Sequence, residues 1–446
     1  MLFVRPMRPS LSTLLVLSSV LGCGSGGDDG VPRDDDPPVT ARPSRDTYQC
    51  RIERGRTDYS PRRWTVHPPA LVKTAGGATF LARFESTTTN PLMPEPAQLV
   101  VSTLDLAGNL GASTVVPLSG EQRDGAVAAA PQGDGFVLVW TDASTLRMAA
   151  FDRAGQMASS PTDVITGIDR SVDPQLAAGV DGSFGLVFTR EVAPSSYEAR
   201  FTVIAPDRGA RLASWPLTDK PGASYASPAP AIAATATGYA MIWRDPASTT
   251  GGIHFAAADL QGVKTVAPHR ISVPVEPPLV AGGVGGFESS TNALLPVPGG
   301  FLAAWTEARR AETSAGSVVR LARLDAAGIR QGTAAALRAF KADADEVEPT
   351  LVPFGDSVAV FWGHGSHIYI CGGCVPDHSI ELVLIDPATL TPLSNIVSLT
   401  NGGDPRAGGL LRRRIAVEGD SFLATYQLTF HVHDTPGSAA FTCTRR

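Results

Sequence analysis

Five of the eight histidines of this 446-residue chain fall in two short stretches: His364, His367 and His378, then His431 and His433. Imidazole is a common zinc ligand and also suits copper and nickel. The first stretch carries Cys371, Cys374 and Asp377 as well, and the second ends on Asp434. Positions 431 and 433 lie two apart, so an extended segment sends both rings to one side. One more imidazole from the first stretch would complete a three-nitrogen set with a position left for water, the arrangement of hydrolytic zinc sites. Asp377 or Asp434 would then orient a ring. The competing reading makes the same histidines solvated loop residues, with no metal.

Arg406, Arg412, Arg413 and Arg414 lie between the two histidine stretches. Guanidinium forks of this kind hold phosphate or acidic glycans, or simply pair with nearby carboxylates. Asp343, Asp345 and Glu346 lack the spacing of an EF-hand calcium loop. There is no Gly-x-Ser-x-Gly, no phosphate-cradling glycine loop and no His-Glu-x-x-His. With 37 basic against 43 acidic residues the formal charge is −6, which leaves no electrostatic footprint for nucleic acid. No cofactor is expected, zinc or another divalent metal at the histidines being the one candidate.

The elements that must position these residues repeat along the chain. Gly135-Phe136-Val137-Leu138-Val139-Trp140 is an apolar strand with an aromatic near each end. It returns at Phe184 to Phe188, Tyr239 to Trp243 and Phe301 to Trp305, and more weakly at Phe80 to Phe84, Val358 to Trp362 and Phe422 to Tyr426. The second aromatic recurs at intervals from 48 residues (Trp140 to Phe188) to 64 (Trp362 to Tyr426), the mark of a repeat architecture. Short strands and Asp/Gly turns surround each copy, and an Asp-x-x-Gly hairpin follows at Asp105, Asp152, Asp259 and Asp325, with Asp386 as a copy lacking the glycine. A four-stranded sheet with two apolar faces cannot stand alone. Seven arranged radially cover one another, so the expected fold is all-β, a seven-bladed β-propeller of four-stranded antiparallel blades.

The last repeat ends one strand short, and residues 47–53 precede the first blade with no other home. An N-terminal strand in the last blade would close the ring and set Cys50 against Cys443. Turns between first and second and between third and fourth strands are short, whereas the other connections are long and gather on one face. That face holds both histidine stretches, and loops on a rigid scaffold are the usual place for binding or catalysis.

Arg5 and Arg8, the apolar run 11–21 and the small residues after it read as a secretory signal, too short for a membrane span. Val20-Leu21-Gly22-Cys23 resembles the bacterial lipobox, which implies lipidation of Cys23; Gly24 after it implies the outer membrane. Residues 1–22 are then a signal peptide, 23–46 a Gly/Asp/Pro tether and 47–446 one domain. With Cys23 lipidated, four cysteines remain in a compartment where disulfides persist. Cys371 and Cys374 are expected to pair with each other, a thiolate zinc site being the alternative.

The Gly-Phe-x-x-x-Trp strand with its Asp-x-x-Gly hairpin resembles repeats of bacterial surface and secreted proteins. The expected protein is a lipid-anchored, extracytoplasmic binding or scaffold propeller without catalysis, facing a protein, peptide or glycan. The alternative is a metal-dependent hydrolase or lyase at the histidine loops, and a third reading is a scaffold for outer-membrane assembly.

Overall fold

In the computed structural model every apolar-aromatic segment is the second strand of a four-stranded antiparallel sheet. The structure describes residues 47–58, 63–64, 69–86, 97–119, 125–168, 171–193, 196–207, 211–218, 222–223, 228–245, 252–272, 292–310, 315–338, 344–366, 378–400, 409–429 and 435–446. Among them there is no helix. The second strands of blades 1 to 7 are Thr79–Ser86, Gly135–Asp142, Phe184–Ala193, Gly238–Asp245, Gly300–Arg310, Ser357–Ser366 and Ser421–Thr429. The innermost strands are Ala70–Lys73, Val127–Gln132, Ser171–Ala178, Ala231–Ala234, Ala293–Val297, Ala344–Phe354 and Gly409–Glu418. Each innermost strand lies against the next, and that of blade 7 lies against that of blade 1. The protein is a closed seven-bladed β-propeller.

Side-chain alternation explains how the blades cover one another. One face of each second strand carries the rings and the other carries aliphatic residues. Phe184 and Phe188 of blade 3 pack on Val137 and Val139 of blade 2. Tyr239 and Trp243 of blade 4 pack with Val187 of blade 3, and Trp362 of blade 6 with Leu302 and Ala304 of blade 5. The ring face of one blade therefore meets the aliphatic face of the blade before it. Burying a ring contributes about 1.5–3 kcal/mol, so these interfaces supply most of the driving force.

The seam between blades 7 and 1 breaks this rule. Thr74 N–H donates to Ala78 O and Gly77 N–H to Thr74 O, the bonds that Gly179, Ser183 and Gly182 make in blade 3. Aligned on that turn, Arg83 stands where blade 3 has Phe188. Phe80 and Phe84 consequently face blade 2, beside Phe136 and Trp140, one residue out of phase with the rings of the other blades. The seam keeps only a small apolar cluster of Leu81, Leu104, Ala416 and Leu423. Lys73 Nζ crosses it to Val417 O at 2.7 Å.

Ring closure is as expected from the sequence. Tyr48–Asp58 pairs with Thr435–Arg445 as the outer strand of blade 7, with Cys50 opposite Cys443 and the two joined by a disulfide. Both cysteines are buried.

The hairpin between third and fourth strands has a second task. In blade 5 the Asp325 carboxylate accepts the Ala327 and Ile329 N–H groups, each at 2.9 Å, which fixes a turn with Gly328 at φ +76°. A Cβ on Gly328 would collide with the ring of Phe255 in blade 4. Gly155 approaches Phe80, and Gly262 approaches Ala213 and Val203, in the same blade-to-blade sense. In blade 6, which lacks the glycine, Leu390 takes the positive φ of 60°. Gly328→Ala should cost about 2–4 kcal/mol, the left-handed penalty plus overpacking. Gly332→Ala, at φ +79° with nothing within 4 Å, should cost only about 1–2 kcal/mol, from conformation alone. Urea midpoints of the two variants measure the difference.

Candidate functional site

The long-connection face is partly built of strand. Phe184–Ala193 and Ser196–Ile204 continue the blade 3 sheet to residues 193 and 196, and Gly300–Arg310 with Ala315–Asp325 does the same in blade 5. These hairpins extend the sheet because both strands keep pairing past the second ring, as far as Ala193↔Ser196 and Arg310↔Ala315. In blade 2 the equivalent connection is only residues 143–144.

The first histidine stretch begins on this face. His364 is half-buried at the end of the second strand of blade 6, opposite Ser379, and Ser379 Oγ donates to His364 O at 3.2 Å. His378 opens the third strand, opposite Gly365, so the two are not cross-strand partners. His367, Cys371, Cys374, Asp377, His431, His433 and Asp434 lie outside the described residues, and so does Cys23. Among the described residues no group of three His, Cys, Asp or Glu is placed to hold a metal.

Three of the four arginines belong to a strand. Pairing of Gly409 to Leu411 with Thr429 to Gln427 starts the innermost strand of blade 7 early, so Arg412, Arg413 and Arg414 belong to it. Arg412 and Arg413 sit at its irregularity, while Arg414 pairs with Thr425 and borders the ring axis. Arg406 lies outside the described residues. Asp345 and Glu346 are likewise within a strand, Ala344–Phe354, and Asp343 falls outside.

Beneath the loop face lies a set of ion pairs that single-residue motifs did not reveal. Position +2 from the second ring, on the same side of the strand, is Asp142 in blade 2, Arg190 in blade 3, Asp245 in blade 4 and Glu307 in blade 5. Asp142 is buried, accepts the Ser119 N–H at 2.9 Å, and pairs with Arg147 at 3.1 Å; Arg147 also reaches Asp163. Glu198 lies between Arg190 at 3.4 Å and Arg200 at 2.5 Å. Arg320 forks onto both oxygens of Glu307 at 3.3 Å. Asp245 faces His254 at 3.9 Å, and in blade 6 Glu381 pairs with Arg338. In blade 1 the partners are Arg83 and Glu85, both buried, with Arg83 Nη1 donating to Ser102 Oγ at 3.0 Å. In blades 2 to 5 the signal was in the sequence as a charged residue two past the second ring, but its partner comes from a neighbouring strand. Such pairs contribute little net stability relative to apolar residues of similar volume.

On the short-turn face Ser183 donates to Asp181 at 2.5 Å and receives the Tyr239 hydroxyl at 2.8 Å, tying blade 3 to blade 4. Burial, reinforced by the Asp181 charge, pushes the Tyr239 phenol up to about 12, with the Ser183 bond acting against it. This set joins two blades.

Residues of the innermost strands of six blades, with Asn292 beside them, line an open axial cavity of about 230 Å³. Its walls are mostly Ala, Leu, Val and Pro, with Gln175, Asn292, Thr350 and Arg414 as the polar members.

Fold and site together define a two-faced propeller, with tight Asp/Gly turns on one side and long connections over a row of ion pairs on the other. No protein-family model matches the chain, and no curated protein does. Solved structures resemble it only remotely. A protein of unknown function from Dyadobacter fermentans has TM-score 0.48 and 11% identity over 89% of this chain and 99% of that one. The polysaccharide lyase Uly1 has TM-score 0.46 and 9% identity over 84% and 90%. Domains 1–2 of Drosophila Semaphorin 1b have TM-score 0.45 and 9% identity over 88% and 87%. Blade number and connectivity therefore rest on the strand order above.

Proposed function

We propose that the chain is a lipid-anchored, extracytoplasmic propeller that binds a protein, peptide or glycan through its long-connection face, without catalysis. The observation that carries this reading is the asymmetry of the two faces: variable, projecting hairpins and long connections on one, short self-capped turns on the other. Loops on a rigid ring are free to vary without loss of the fold. The carboxylates and guanidiniums under that face are engaged with one another, an arrangement suited to holding a surface rigid. The Cys50–Cys443 disulfide supports export, since such bonds persist outside the cytoplasm.

The anchor is testable by itself. Wild type is expected in the envelope fraction, and Cys23→Ser is expected in the soluble fraction, because diacyl attachment is stable where a single chain is marginal. Soluble wild-type protein would contradict the anchor. The outer membrane is the proposed destination, and sucrose-gradient separation of the two membranes reads it.

A further inference from the structure

One guanidinium under the long-connection face stands outside the ion pairs. Arg244 lies one past the second ring of blade 4, where blades 2, 3 and 5 carry the buried hydroxyls Thr141, Thr189 and Thr306. It is half-buried, and its Nη2 donates across the seam to Thr306 O of blade 5 at 3.2 Å. That bond fixes the plane of the fork, whose other N–H groups meet no acceptor among the described residues. Burial pulls the guanidinium below the usual arginine range, and no carboxylate offsets the pull. Arg147, Arg190, Arg320 and Arg338 on the same face each have a carboxylate. A charge drawn out of water calls for a counter-charge, and a guanidinium fork fits a carboxylate in shape as well.

The surroundings say how that carboxylate would arrive. The paired strands of blade 4 stop at Asp245↔Gly252, two residues past Trp243. Those of blades 3 and 5 run five past Phe188 and Trp305, to Ala193↔Ser196 and Arg310↔Ala315. At about 3.3 Å per residue the flanking hairpins therefore stand about 10 Å beyond the paired strands of blade 4. Arg244 sits near the foot of that step, and Val192 is exposed on the blade 3 hairpin. An acidic side chain reaches such a place on its own arm, whereas a carboxylate fixed to a sugar ring must bring the ring with it.

We propose that Arg244 receives an aspartate or glutamate side chain from an acidic peptide segment of the partner. The inference rests on the reading that the long-connection face is the binding face, and it names what that face recognises.

The test selects peptides from a displayed random library on the folded protein. Each selected peptide is then titrated as it stands and with every acidic side chain changed to its amide. The peptides are expected to share one acidic position, whose amide weakens binding by about tenfold or more. Arg244→Gln should bind the acid and amide forms alike. Arg244→Lys, which keeps the charge and loses the fork, should keep a reduced acid preference, and it decides if Arg244→Gln fails to fold. An acid preference that is absent from wild type, or unchanged in the variant that decides, would overturn the proposal. So would binding of polygalacturonate but of no peptide, which would move the carboxylate to a glycan, and so would binding of neither. A photo-crosslinking residue at Val192 separates this failure from that of the binding face. Bound peptides without acid preference that crosslink there sink the role of Arg244 alone, and bound peptides that crosslink only from Val180 sink the face reading.

Discussion

Alanine at both Cys50 and Cys443 will lower the unfolding free energy by about 2–5 kcal/mol and move the urea midpoint accordingly. The bridge joins residues 393 apart, so it removes closure entropy from nearly the whole domain in the unfolded chain. Its place matters as much as its span. Tyr48–Asp58 is the first strand among the described residues but the outermost strand of blade 7, and its pairing is interrupted between Ile52 and Arg54 and again between Arg54 and Thr57. Without it, Thr435–Arg445 becomes an open edge in the blade that forms the thinnest seam of the ring. Added reductant during unfolding should reproduce the effect in wild type once the chain opens. An unchanged midpoint in the double variant would refute the closure argument.

The second large effect is expected at that same seam. Arg83→Met and Glu85→Leu should each cost about 3–5 kcal/mol, because either removes the ion-pair partner of a buried charge. The double variant should regain most of this loss, since no buried charge is left without its partner and the new methionine stands where the other second strands carry a ring. A double-mutant cycle measures the coupling. Additive losses would show that the two residues act independently, against the geometry of their contact.

Blade number and strand order were legible because each rests on local signals, and ring closure because the last repeat lacks a strand that residues 47–53 supply. An apolar-aromatic run such as Phe136 to Trp140 can only be a buried strand, and Asp325 with Gly328 can only be a tight turn. The phase of blade 1 was not legible. Phe80 and Phe84 imitate the ring spacing of the other blades, while the turn that sets the true phase, Thr74 to Ala78, has no Asp-Gly signature. The early start of the innermost strand of blade 7 was not legible either, because a bulge between Leu411 and Arg414 hides the strand alternation. Arg244 gave no signal at all, since its one side-chain bond is to Thr306 of the next blade. The histidine loops are where sequence chemistry is densest, yet no spacing rule joins two blades into one site.

Val192 and Val180 offer the most direct test of the loop-face account. Both are exposed in blade 3, Val192 beside the hairpin tip on the long-connection face and Val180 in the short turn on the other. A photo-crosslinking residue placed at each, in intact cells, should give a specific adduct from position 192 and none from position 180. Adducts from position 180 alone would put the partner on the opposite face and contradict the account.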